Sequence, residues 1–157
     1  MNHLLSFLQK MDSTQLSVYK SDIMGLIENE FVSLRKAVRF NPKSYCKTTL
    51  FKNEKLELVI IGWEAGQSSG IHNHPAQGCL VFPLEGTFIE KRFDQALQII
   101  SMATLRFGSC SYMHDEICLH SLGNASSTGK SISLHLYAPP NFVGTVFQTE
   151  PTELQLS

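Results

Sequence analysis

Hydrophobic positions follow two rhythms along this chain. Over the first forty residues Leu4, Leu5, Leu8 and Met11, then Leu16, Tyr19, Ile23 and Leu26, recur in three- and four-residue steps, the spacing that gathers apolar side chains on one helix face. The pattern predicts two or three short helices. Asn2 and Ser13 are the expected N-caps, and a last helix around Phe31, Leu34, Ala37 and Val38 should close at Asn41-Pro42. From Ser44 onward the rhythm shortens into β-rich runs at residues 48–51, 57–63, 79–84, 87–93, 97–103, 109–113, 117–122 and 131–137, separated by Gly, Asn, Asp, Ser or Pro. So many short strands predict a mostly β protein, an antiparallel barrel or sandwich. One domain over 1–157 is expected: a helical cap at 1–43, a β-barrel at 44–150 and a tail at 151–157.

Composition narrows the class. The chain has 157 residues, 43% hydrophobic and 17% charged, enough to bury a core without disulfides or a structural metal. Thirteen Lys and Arg against fourteen Asp and Glu leave no basic run to neutralise phosphates, so neither nucleic acid nor an anionic membrane is an expected partner. The longest apolar stretch, 56–63, is broken by Glu57 and falls far short of the roughly 20 residues that span a bilayer. MNHLLSFLQKM has no early positive charge and no small-residue cleavage site, so no secretory signal is expected. Cys46, Cys79, Cys110 and Cys118 form no C-x-x-C pair, as in reduced thiols of the cytoplasm, the expected location.

His72-Asn73-His74 brings in candidate chemistry. Residues two apart on an extended strand share a face, so both imidazoles can reach one cation while Asn73 points away. Alone, such a pair is about as common on a solvated strand. The frame is more specific: Gly66, His72, His74, Cys79 and Gly86 keep the spacing of the first cupin signature, and His120 with Gly123 and Asn124 resembles the second. Cys79 stands where that signature usually has a Glu ligand. The segment 108–120 is one residue longer than usual and lacks the customary Pro and Gly. Without the carboxylate, a divalent metal on His72, His74 and His120 keeps its full charge until an anion binds, which favours a substrate thiol bound as thiolate.

Over residues 45–140 the sequence resembles the cysteine dioxygenase group of thiol dioxygenases. The matching stretches are GQSSGIHNH at 66–74, Cys79 five residues later, CLH at 118–120 and SLHLYAPP at 133–140. The resemblance implies a cupin jelly-roll barrel with an N-terminal helical cap. It implies Fe(II) on His72, His74 and His120, and a reaction that places both atoms of O2 on the sulfur of a small thiol, cysteine first, to give a sulfinic acid.

Ser133, His135 and Tyr137 alternate with Leu134 and Leu136, so one face of that strand is polar. The pattern leaves open whether this row meets solvent or lines an interior where its members must satisfy one another. The resemblance implies the interior: a relay beside the iron, with Tyr137 placed to hydrogen-bond substrate or oxygen and His135 orienting its hydroxyl. It also matches Cys79 and Tyr137 to a pair that some members join by a thioether. One departure bears on the substrate. Tyr45-Cys46-Lys47 puts Lys47 where cysteine dioxygenases carry the Arg that grips the substrate carboxylate, and an ammonium is a point charge where a guanidinium is a fork. Oxidation of 3-mercaptopropionate is therefore an alternative to that of cysteine, while from the residues alone Lys47 reads as a solvated charge.

Two other functions compete, a non-catalytic metal-binding cupin and a cupin enzyme of other chemistry such as an isomerase, because the fold hosts all three. His3 and His114 read as solvated, Cys118 as a small buried hydrophobe, Cys46 and Cys110 as core thiols, and Trp63 as core packing at a strand end.

Overall fold

A computed structural model describes residues 1–148; the expected tail at 151–157 lies outside the described residues. The N-terminal segment is helical, as its rhythm predicts: α1 (Asn2–Lys10), a 3₁₀ segment (Ser13–Tyr19) kinked at Gln15, and α2 (Lys20–Lys36). Leu4 and Leu8 of α1, Leu16 of the 3₁₀ segment, and Ile23, Ile27 and Leu34 of α2 are buried. The caps differ from expectation. The free backbone N–H groups of His3 and Leu4 donate to the Glu30 carboxylate of α2, at 2.8 and 3.3 Å, so α1 is capped by another helix and not by Asn2. Asp12, one residue before Ser13, caps the 3₁₀ segment by accepting from Thr14 N–H at 3.0 Å. The last helix stops at Lys36, ahead of Asn41-Pro42.

Ten strands follow among the described residues: β1 (Cys46–Lys52), β2 (Glu57–Trp63), β3 (Ile71–His72), β4 (Gly78–Glu85), β5 (Phe88–Phe93), β6 (Ile99–Leu105), β7 (Ser111–Met113), β8 (Leu119–Asn124), β9 (Ser131–Ala138) and β10 (Val146–Phe147). All pair antiparallel, in one sheet of order β1-β2-β9-β4-β7 and a second of order β10-β3-β8-β5-β6. The mostly β architecture is as expected, with the strands forming a two-sheet jelly roll and not a closed ring. The additions to the expected strands are β3 and β10, of two residues each.

The first sheet is covered on both faces. Leu58 and Ile60 of β2, Leu80 and Phe82 of β4, and Leu134 and Leu136 of β9 pack with the helices. Val59, Ile61, Trp63, Cys79 and Val81 point the other way and meet Phe88, Leu105 and Leu122 of the second sheet. Double coverage explains why β2 is a continuous apolar run. It also places the polar row: with Leu134 and Leu136 beneath the helices, Ser133, His135 and Tyr137 face the space between the sheets. Gly78, at φ +97°, turns the chain from the histidine loop into β4, where a Cβ would sit 2.6 Å from the Met113 carbonyl oxygen. Among the described residues, no helix is long and apolar enough to cross a membrane.

Candidate metal centre

His72 ends β3 and pairs in register with His120 of β8, so their side chains share a face between the sheets; His74 follows two residues later in the loop before β4. Their ligating nitrogens all lie within 4.8 Å of one another. Each ring is fixed through Nδ1. His72 Nδ1–H donates to the Gly70 carbonyl at 2.8 Å, His74 Nδ1–H to Asp115 Oδ1 at 3.2 Å, and His120 Nδ1–H to Glu90 Oε2 at 3.0 Å. With those protons on Nδ1, every Nε2 carries a bare lone pair. The Nε2 atoms of His72 and His120 are 3.0 Å apart, a repulsive approach unless a proton or cation mediates it. His74 Nε2 is buried with no hydrogen-bond partner among the described residues. Three converging imine nitrogens, one of them orphaned, fit a divalent transition metal, and oxygen partners on the far nitrogens are what metal-binding imidazoles ordinarily have.

Burial, reinforced by the charge of His120, pushes His72 down to about 4 and His74 down to about 2, so both rings are neutral at physiological pH, as ligation requires. Glu90 is 1% exposed. Burial raises its pKa, yet the hydrogen bonds from His120, Ser111 and Arg92 outweigh that effect and hold it at about 2. Ser111 Oγ donates to Oε2 at 2.6 Å and Arg92 Nε to Oε1 at 3.0 Å.

His72 and His120 border a cavity of about 400 Å³ lined also by Tyr45, Lys47, His135 and Tyr137, with the His74 ring buried beside them. Ser133 Oγ lies 2.8 Å from His135 Nε2, and the Tyr137 hydroxyl 3.3 Å from His135 Nδ1, so the row forms a continuous chain. Trp63 extends it, its indole N–H donating to Ser133 Oγ at 2.8 Å. Burial holds His135 well below the usual imidazole value and Tyr137 well above the usual phenol value. Cys79 and Tyr137 are direct cross-strand partners on β4 and β9, hence on one face of the sheet. Burial also pushes the Cys79 thiol far up. Lys47 is exposed at the cavity mouth, its Nζ 5.8 Å from the centre of the Tyr45 ring and 5.9 Å from that of Tyr137. Tyr45 stacks on Trp63 with ring centres 4.7 Å apart.

The roles of Glu90, Asp115 and the Trp63 indole N–H are not among the features expected from the sequence. For Glu90 a signal exists: along Phe88-Ile89-Glu90 the carboxylate shares the inward face of Phe88, although Lys91 and Arg92 disguise it as part of a charged run. Asp115 sits in a polar turn, and nothing local links it to His74, 41 residues away. His3 is exposed. His114 is half-buried, its Nε2 2.8 Å from the Ala76 carbonyl oxygen. Cys118 is buried, while Cys46 and Cys110 are only half-buried.

Several named proteins are similar to this chain. Cysteine dioxygenase type 1 from Danio rerio is 28% identical over 152 residues, covering 85% of this chain and 75% of the relative. The Rattus norvegicus protein of that name is 39% identical over 94 residues, 56% of this chain and 47% of the relative; the Homo sapiens one is 31% identical over 75% of this chain and 62% of the relative. The chain thus spans only about half the length of the rat protein. Among solved structures, a Klebsiella pneumoniae protein with a double-stranded β-helix domain superposes with a TM-score of 0.61 at 15% identity, covering 74% of this chain and 95% of its own. A Thermus thermophilus protein does so at 0.57 and 21%, covering 68% and 93%. These two show the fold alone. The family model described as cysteine dioxygenase type I matches residues 4–149, and the chain belongs to that family.

Proposed function

We propose that this protein is an iron-dependent dioxygenase that adds both atoms of O2 to the sulfur of a small thiol acid, with cysteine the first substrate to consider. One observation carries the reading: three bare Nε2 atoms converge without a carboxylate ligand, and two of their rings, His72 and His120, border a cavity lined also by Tyr137 and Lys47. Iron held by His72, His74 and His120 would supply a positive centre that favours the thiolate and the redox chemistry that O2 requires. The chain's own residues do the rest. Lys47 attracts the substrate carboxylate. Tyr137, oriented by His135 and Ser133, donates its hydroxyl hydrogen to bound substrate or oxygen. Val59, Ile61 and Leu122 line the apolar part of the cavity and keep water from the sulfur. Glu90 and Asp115 orient the imidazoles and raise their basicity. Cys79 is the thiol positioned for a thioether to the Tyr137 ring, formed with loss of two hydrogens to O2; the intact mass of purified protein decides whether it is present.

Lys47 also favours a second substrate. A point charge attracts a carboxylate without clamping it, so 3-mercaptopropionate should be oxidised alongside cysteine, and cysteamine, which has no carboxylate, poorly. The test is oxygen uptake by iron-loaded protein with each thiol in turn, with isotopically labelled O2 traced into the sulfinic product. Stoichiometric iron without thiol-dependent uptake would sink the enzymatic reading and leave a metal-binding module.

A further inference from the structure

Trp63 is the chain's one tryptophan, and it sits at the buried end of the polar row. Its Nε1–H donates to Ser133 Oγ at 2.8 Å, and that oxygen lies 2.8 Å from His135 Nε2. An indole nitrogen can only donate. Ser133 is fully buried, so its own hydroxyl hydrogen must find an acceptor, and His135 Nε2 is the nitrogen within reach. Were the proton on Nε2 instead, Ser133 would accept twice and its hydrogen would be stranded in the interior, an arrangement folded proteins avoid. With Ser133 donating to Nε2, the His135 proton sits on Nδ1 and is donated to the Tyr137 oxygen 3.3 Å away. The Tyr137 hydrogen is then free for the cavity. In the reverse order it would point at His135, and the cavity would meet only an acceptor.

We propose that Trp63 is a positioning residue that sets the direction of the Trp63-Ser133-His135-Tyr137 chain and so makes the Tyr137 hydroxyl a donor toward the site. The inference rests on the proposed role of Tyr137. The indole is held firmly in place, being 1% exposed, stacked on Tyr45 and edge-on to Phe88 at 5.7 Å.

A single tryptophan makes the test clean. Replacing tryptophan biosynthetically with 3-benzothienylalanine keeps the fused rings, puts sulfur in place of the N–H and alters residue 63 alone. Nitrogen NMR of histidine-labelled protein in the presence of diamagnetic zinc reads the His135 tautomer, its signals assigned by His135→Gln. The expected result is Nδ1–H in the unmodified protein, shifting toward Nε2–H in the substituted protein. Trp63→Phe, which keeps an aromatic ring and removes the N–H that fills one side of Ser133 Oγ, should shift it too and gives a second variant. An Nε2–H tautomer in the unmodified protein, or an unmoved tautomer in either folded variant, overturns the inference. Oxygen uptake by the iron-loaded benzothienyl protein separates it from the reading beneath it. A tautomer shift with a loss matching that of Tyr137→Phe supports both. A shift with full uptake supports the control by Trp63 and overturns the donor role of Tyr137.

Discussion

Around the second sheet His72, His74 and His120 each tie Nδ1 to an oxygen and leave Nε2 bare, whereas on the facing sheet His135 has both ring nitrogens engaged, one by Ser133 and one by Tyr137. His72, His120 and His135 line one interior space and His74 is buried beside the first two, yet their wiring assigns them different chemistry. A ring with one nitrogen pinned and the other empty can take a cation. A ring satisfied on both sides can only hold its neighbours in place and transmit the direction of a hydrogen bond. Residue type alone does not separate the two; the partner of the second nitrogen does.

The sharpest way to break this contrast is to remove one member of the trio. Changing His72, His74 or His120 to Ala should abolish stoichiometric iron binding and oxygen uptake together, and full iron occupancy in the His120→Ala protein, measured by elemental analysis, would take His120 out of the site. On the other side Tyr137→Phe should keep the metal and slow thiol oxidation by roughly 10²-fold or more, the scale of a lost positioned acid or base. An unchanged rate would detach the polar row from the chemistry.

Glu90→Gln probes the pinning itself. A Gln keeps the shape and loses the charge facing His120 Nδ1, so iron affinity, read by competition with a chelator, should fall roughly 10–100-fold. A fourth measurement uses acid. Burial keeps His135 neutral in the fold well below its ordinary value near 6.5. Below that pH the unfolded chain takes up a proton that the fold refuses, so stability falls as pH drops, by about 1.4 kcal/mol per pH unit for this residue. In His135→Gln, denaturant titrations between pH 6.5 and 5 should lack that part of the slope. The smallest effect belongs to Lys47→Met. Because Lys47 is exposed, the pairing is screened, and the KM for thiol acids should rise only about fivefold, the equivalent of about 1 kcal/mol. Identical kinetics would mark Lys47 as a solvated charge.

What the sequence made legible follows from the range of the interactions concerned. Helical steps in Leu4, Leu8, Leu16 and Ile23 and the strand runs at 57–63 and 131–137 are local signals, and they reappear as helices and as strands with nearly the same bounds. The two-residue strands β3 and β10 carry no alternation to read; they exist because His72 has partners in both β8 and β10. The Asn2 cap failed for a similar reason, since Glu30 reaches the same N–H groups from 26 and 27 residues away. Within the site, the H-x-H spacing marked the rings. What turns each ring is a tertiary partner, as Glu90 is for His120 across 30 residues.

The anchors behind the three imidazoles bear on how much of a metal site the chain itself prepares. A strand carboxylate, a turn carboxylate and a backbone carbonyl hold the rings through contacts that involve no metal. The rings are thus oriented by the protein's own contacts. On the function proposed above, a metal would meet donor rings already turned toward it, so that its binding would ask little rearrangement of the chain.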